Sequence, residues 1–432
     1  MLLAWLSLGV LCSSSIALDF TLRHIHRTRP DTGGILWADL DDDAAVASAT
    51  ENSYSVGTKT LTIQKPVSLD KWKEWRSKRQ RTPSTLHNLN IQTIDWKSRE
   101  TTGPATDKRE TLLTLAKMTS NSYFVDDKAV GWYDLGGNWT NDHSIGYDPS
   151  TSGFRGHVFL SSDNKTAVLS IKGTSAIIVG GGPTVAKDKL NDNLLFSCCY
   201  ARVDWTWSPV CGCFRGDGKC DQWCVEESLV EESLFYDIGI NLYNNLTYMY
   251  PEAQIWVIGH SLGGGLASLI GATFGAPVVA FESPGEKLAA QRLHLPTPPE
   301  LLHITHVYNT ADPIPMGACT GRASICYQAG YALETRCHLG TTIVYDTIGL
   351  LHWSSGVRAH LIDTVIQQIL DEDWSTKLRK SRKSRFSWPR RGSGPQPEEE
   401  EEDKLIEVPA PTPEIDCAEC FNWEYGDFPL EG

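Results

Sequence analysis

Residues 254–274, QIWVIGHSLGGGLASLIGATF, constrain the fold more than any other stretch of the chain. A short apolar β run ends at Gly259, a serine follows two positions later, and a helix of small residues begins there. A strand that turns this sharply into a helix strains its backbone and brings helix and sheet into close approach. The positions two before and two after the bend must therefore lack bulk. Gly259 and Gly263 meet that demand around Ser261, and Gly264 and Gly265 extend it. G-x-S-x-G between a β run and a helix has the form of a nucleophile elbow, and this context separates it from a glycine-rich turn around a buried serine.

The flanking pattern supplies the sheet that such a bend needs. VFLS and AVLSIKG read as two β runs around the turn Asp163-Asn164, and residues 234–250 as an amphipathic helix stopped by Pro251. PVVAFES and LLHITHVYNT are further strands, and HLIDTVIQQIL is an apolar-periodic helix that closes the core near Trp374. Strand, helix and strand in this rhythm predict an α/β fold with a mostly parallel central sheet and helices on its faces. The core spans residues 106–374 with a Cys-rich insertion at 198–224. Residues 19–105 are polar and irregular, a surface extension whose basic, Trp-containing stretch KWKEWRSKRQR is also a candidate membrane-facing patch. Residues 375–432 run from a basic block through GSGPQP and EEEEED to CAEC, and are expected to be a solvated, disordered, low-complexity tail.

The first 18 residues bear on compartment. Leu2 to Leu18 carry no charge, and the run is either a signal-peptide core, with Ser15 and Ala17 at cleavage-site spacing, or a short membrane anchor. Both send the chain into the secretory pathway. Asn138, Asn164 and Asn245 head N-x-S/T acceptors, consistent with a lumenal setting. Apart from Cys12, the cysteines are Cys198, Cys199, Cys211, Cys213, Cys220, Cys224, Cys319, Cys326, Cys337, Cys417 and Cys420. The crowded first six read as a disulfide-stapled insertion. A zinc site of Cys211, Cys213, Cys220 and Cys224 is disfavoured, because secretory thiols oxidise and no histidine flanks them. No metal and no cofactor is expected. The 11 cysteines beyond the leader are odd in number, so at least one thiol stays free or pairs outside the chain. With 39 Lys plus Arg against 53 Asp plus Glu, the net charge of −14 gives no electrostatic reason to bind nucleic acid.

A serine hydroxyl needs a base to take its proton and a carboxylate to orient that base. In α/β-hydrolases these follow in the order Ser, acid, His. Asp312, just after the strand HITHVYNT, holds the expected position for the acid, with Asp346 and Asp363 less suitably placed. His338, His352 and His360 are candidates for the base; His360, ahead of LIDTVIQQIL, is preferred, with His352 in reserve. An oxyanion needs two donors. One is the amide of Leu262; the other is expected after AVLSIKG, where Gly173 permits a turn and Thr174 offers amide and hydroxyl.

Together these residues resemble the class 3 lipases of the α/β-hydrolase fold. MTSNSYF, GWYDLGGNW, GFRGHVF, FESPGEKLAAQRLHLP, ADPIPMGAC and the stretch leading into the Cys-rich block look like the fungal autophagy-related members of that group, over most of residues 19–374. The resemblance implies a triad of Ser261, Asp312 and His360 with oxyanion donors Thr174 and Leu262. It implies hydrolysis of phospholipids or neutral lipids of intralumenal vesicles, in multivesicular bodies and the vacuole. It also implies a single-pass type II N-terminal anchor. The Cys-rich insertion falls where a lid over the site is expected. Two other functions fit the residues: an esterase or thioesterase acting on soluble acyl groups, and an inert, glycosylated binding protein.

Overall fold

A computed structural model of the chain describes residues 17–28, 35–39, 54–80, 94–124, 131–133, 153–161, 164–174, 185–199, 207–232, 234–296, 300–317, 335–386, 406–419 and 424–428, with residues 201 and 298 besides. Most of the apolar leader, Asn138, Cys319, Cys326, Cys420 and the acidic run lie outside them.

The chain alternates as the sequence predicts through its middle. Strands β5 (Gly156–Ser161) and β6 (Thr166–Ile171) form an antiparallel hairpin, followed by helix α3 (Val185–Phe196), short strand β7 (Lys219–Asp221), α4 (Gln222–Glu232) and α5 (Leu234–Met249). Then come β8 (Gln254–His260), α6 (Leu262–Phe274), β9 (Val278–Phe281), α7 (Lys287–Arg292), β10 (Ile304–Asn309) and β11 (Thr341–Tyr345). β6, β8, β9, β10 and β11 lie side by side in that order, all parallel.

Successive residues of a strand point to opposite faces, so a run apolar at every position is stable only when both faces are covered. On β8, Ile255 and Val257 join one core with Leu169 of β6 and helices α3 to α6, whereas Trp256 and Ile258 join the other with Val168 and Phe159. The second core is capped by helix α2 (Arg109–Asn121) through Leu112, Leu115, Ala116 and Met118. It is also capped by a segment that passes from an α turn (Ile362–Thr364) into a π-helix (Val365–Ile369). A mostly parallel sheet between two helical layers is the α/β-hydrolase architecture.

Two expectations need correction. Residues 19–105 are not an irregular extension. β1 (Ala17–Thr28), β2 (Ile35–Asp39), β3 (Tyr54–Pro66) and β4 (Trp96–Pro104), with helix α1 (Leu69–Gln80), widen the sheet beyond β5 in antiparallel order. Their strands were hidden by composition: β4 reads WKSRETTGP, largely exposed along its first five residues, and it is held by nine register pairs with β3. The leader's last two residues, Ala17 and Leu18, already pair with Gly57 and Val56.

The described parts of the tail are docked. The basic block forms helix α8 (Trp374–Phe386), with Lys377 on Asp371 and Lys380 on Glu372. Residues 406–419 return as a strap. Glu407 accepts from the Lys108 ammonium at 2.8 Å and the Arg109 amide at 3.1 Å, and β12 (Thr412–Pro413) pairs antiparallel with the edge of β11. Buried His338 gives Nδ1–H to Glu414 at 3.1 Å and Nε2–H to the Ser283 carbonyl at 3.1 Å. Burial presses on that imidazole, but Glu414 and Glu286 hold it above its ordinary value. A disulfide joins Cys337 to Cys417, and β13 (Glu424–Gly426) pairs with β7.

The Cys-rich insertion contains disulfides Cys198–Cys220, Cys199–Cys211 and Cys213–Cys224. All four sulfurs of the zinc alternative are thus in disulfides. Cys198, Cys199, Cys213 and Cys220 are fully buried in the first core. The block is therefore stapled into the globule. Asn164 is exposed in the β5–β6 turn, and Asn245 lies half-buried on α5. Among the described residues no helix is long and apolar enough to cross a membrane.

Cys337–Cys417 closes a span of 80 residues, long enough for cross-linking to restrict the unfolded chain substantially. The double variant Cys337→Ser, Cys417→Ser is expected to lose about 2–4 kcal/mol of unfolding free energy, read as a lower denaturant midpoint.

Candidate active site

The carboxyl ends of the parallel strands converge, as they do at the ligand sites of open α/β sheets. Just beyond β8 is Ser261, beyond β6 Thr174, beyond β9 Glu282 and beyond β10 Asp312. The loop after β11 leads to a 3-10 turn (Val357–His360) that carries His360.

Ser261 has φ 57° and ψ −129°, a left-handed conformation that an L residue adopts only under constraint. The constraint is steric. A Cβ on Gly263 would lie 2.3 Å from the Ile171 carbonyl oxygen, and one on Gly259 would lie 2.3 Å from that of Gly263. The Ser261 amide donates to the Phe281 carbonyl at 3.0 Å, and its own carbonyl accepts from Gly264 and Gly265. Leu262 opens α6, where the first helical amides have no partner inside the helix.

His360 joins the other two residues. Its Nε2 lies 2.9 Å from Ser261 Oγ, and its Nδ1 lies 2.6 Å from Asp312 Oδ2. A carboxylate can only accept, so Nδ1 carries the hydrogen and Nε2 is left to accept from the serine hydroxyl. Asp312 is fully buried, and its Oδ1 accepts from the Ile314 amide at 2.9 Å. The remaining candidates are engaged elsewhere. His338 holds the C-terminal strap, and His352 lines a surface cavity with Glu372 and Lys380. Asp346 accepts from Thr310 and Gly349, and Asp363 accepts from Tyr133 and Gln367.

A second set of side chains supports these three, and beyond Gly173 and Thr174 no motif in the sequence points to it. The Gly173 amide donates to Tyr123 Oη at 3.1 Å, and Tyr123 donates to His260 Nδ1 at 2.7 Å. His260 Nε2–H then donates to the His360 carbonyl at 2.7 Å. Burial, reinforced by the neighbouring His360, presses His260 well below its ordinary value, so it remains a neutral relay between the β6 turn and the His360 backbone. Thr174 donates through Oγ1 to Asp192 of α3 at 2.5 Å. Buried Lys172 donates to the Gly173 carbonyl at 2.6 Å and to Asp188 at 3.1 Å. Glu282, fully buried at φ 43°, accepts from the Asn309 amide and side chain, and Asn309 also donates to the Ala359 carbonyl at 3.0 Å. Tyr123 and Glu282 fall in MTSNSYF and FESP, segments with family likeness, but nothing local marks their chemistry.

Residues 230–319, which span the Ser261 bend and Asp312, match the family described as Lipase (class 3). A Cryptococcus neoformans var. neoformans protein named "Putative lipase ATG15" is 47% identical over 371 residues, covering 77% of this chain and 71% of its own. A Mycosarcoma maydis protein of the same name is 45% identical over 365 residues, covering 77% of this chain and 69% of its own. Among solved structures, the Lip2 lipase of Yarrowia lipolytica aligns over 53% of this chain and 76% of its own at 17% identity, with a TM-score of 0.27.

Asp192 is fully enclosed, and burial raises its carboxyl to about 7 against the opposing hydrogen bond from Thr174. The folded state then holds a proton that the unfolded chain releases near pH 4, so stability falls as pH rises from about 4 to about 7. Asp192→Asn is expected to flatten that slope. Its gain over the unsubstituted protein, on the order of a few kcal/mol at most, should be larger at pH 8 than at pH 5 in denaturant titrations. An equal gain at both would mean that Asp192 does not titrate in this window.

Proposed function

The chain belongs to the fungal ATG15 lipase family and is a lipase of class 3; from that premise we propose that it cleaves membrane-lipid esters by a Ser261–His360–Asp312 triad. The observation that supports this most is the pair of contacts made by one imidazole, 2.9 Å to Ser261 Oγ and 2.6 Å to Asp312 Oδ2. These are the distances at which a base can take one proton while its other nitrogen is held by a carboxylate.

Ser261 Oγ attacks the ester carbonyl carbon as His360 Nε2 accepts the hydroxyl proton. Asp312 stabilises the resulting imidazolium. The carbonyl oxygen, now an anion, is held by the amides of Thr174 and Leu262, and the Thr174–Asp192 bond fixes the first of these. When the C–O bond breaks, His360 returns the proton to the departing alcohol, leaving an acyl group on Ser261. Water repeats the sequence: it gives a proton to His360 and its oxygen to the acyl carbon, the bond from that carbon to Ser261 Oγ breaks as His360 returns the proton to Oγ, and the fatty acid departs. No cofactor enters. The proposed substrates are phospholipids and neutral lipids of vesicles brought into an acidic lumen, in keeping with the ATG15 name of the relatives. The proposed setting is the multivesicular body and vacuole, reached through an anchor in the apolar run ahead of β1.

A fluorophosphonate probe should label the protein, and Ser261→Ala should abolish labelling. Ser261→Ala and His360→Ala should each lower kcat/KM by about 10⁴-fold or more on phospholipid vesicles, and Asp312→Asn by about 10²–10⁴-fold. Equal rates on vesicles and on a monomeric soluble ester would favour an esterase instead. Full labelling of the Ser261→Ala protein would exclude this nucleophile.

A further inference from the structure

One buried group beside the triad has no part in the steps above. Glu282 leaves β9 at φ 43° with its side chain at 0% exposure, and its carboxyl lies within hydrogen-bonding reach of that of Asp312, also at 0%. Two carboxyls buried in contact cannot both be charged without a cation between them. Their partners tell them apart. Asp312 receives His360 Nδ1–H at 2.6 Å and the Ile314 amide at 2.9 Å, contacts that favour an anion next to a base. Glu282 receives the Asn309 side-chain amide at 2.9 Å and the Asn309 backbone amide at 3.2 Å, neutral donors from one residue.

We propose that Glu282 is a positioning residue for Asp312: it keeps its proton, donates it in a hydrogen bond to the Asp312 carboxylate, and so lets His360 act as a base in a more acidic medium than an unassisted Asp–His pair would allow. This deepens the hydrolase reading and rests on it. A carboxylate whose charge is partly engaged by a second donor stabilises an imidazolium less, so the imidazole gives up its proton at lower pH. Burial and the Asp312 charge both hold the Glu282 carboxyl well above its ordinary range. Among the described residues, the other titratable groups facing the pair are Tyr308 of β10, and, around His360, neutral His260 of β8 and Asp192 of α3. None supplies a permanent cation that would release the Glu282 proton. That proton stays on Glu282 throughout turnover; the one that moves passes from Ser261 to His360 to the leaving alcohol.

The test is the acid limb of kcat/KM on phospholipid vesicles, which reports the base of the free enzyme. Glu282→Ala should move that limb upward by about half to one pH unit, so that activity falls most at low pH and least on the plateau. Glu282→Gln, whose amide can still donate to Asp312 and accept from Asn309, should leave the limb within about 0.2 unit of the unsubstituted protein. A second measurement is independent of turnover and decides the matter should Glu282→Ala fail to fold. The infrared difference between the unsubstituted protein and Glu282→Gln at pH 8 should contain the carbonyl stretch of one protonated carboxylic acid. A uniform loss of rate at every pH in Glu282→Ala, or the absence of that band, would overturn the proposal. If fluorophosphonate labelling depends on Ser261 while either of those results is found, the inference about Glu282 fails alone. If labelling does not depend on Ser261, the hydrolase reading fails.

Discussion

The bend around Ser261 has no room for a side chain on either flank, and the position of everything else at the strand ends depends on that shortage of space. Gly263 lets the start of α6 rest on the backbone of β6, and Gly259 lets β8 fold beneath the first turn of the helix. With the helix seated so closely, the Ser261 hydroxyl and the Leu262 amide are held by the rigid sheet rather than by a loop. The positive φ of Ser261 costs about 1–3 kcal/mol, which the surrounding core of Leu262, Leu266, Ile258 and Phe281 must offset. Larger residues at the two glycines would push the helix off the sheet and separate these two groups from each other.

The other groups are aligned to that bend by hydrogen bonds that run between strand ends. Tyr123 and His260 link the turn after β6 to the backbone of His360, and Asn309 links Glu282 to the residue before it, Ala359. His360 sits on a long connection from β11, and two of these bonds grip its main chain directly or one residue away. A mobile imidazole would lose the serine contact with a shift of a few tenths of an ångström. The buried relay restrains it without adding charge, because His260 is held neutral by its surroundings.

Legibility in the sequence followed burial. β8, β9 and β10 are enclosed on both faces, so QIWVIG, PVVAF and HITHVYN stand out as short apolar runs. β3 and β4 expose much of their surface, and their polar residues conceal strands that are recognisable only through mutual pairing. The nucleophile position could be read from steric need, and Asp312 and His360 from chain order behind strands. Tyr123, Asp192 and Glu282 could not, because each acquires its role only when a remote backbone meets it. The tail was misread for the same reason. Its docking depends on Cys417 reaching Cys337 and Glu414 reaching His338, separations of 80 and 76 residues that composition does not encode.

The returning strap also alters what chain cleavage would mean for this molecule. Residues 387–405 connect α8 to a segment secured at Cys337, on the β11 edge and on Lys108. A peptidase cut in that connection would convert one polypeptide into two pieces that remain covalently joined and jointly folded. The nicked form would travel as a single species until a reductant parted it.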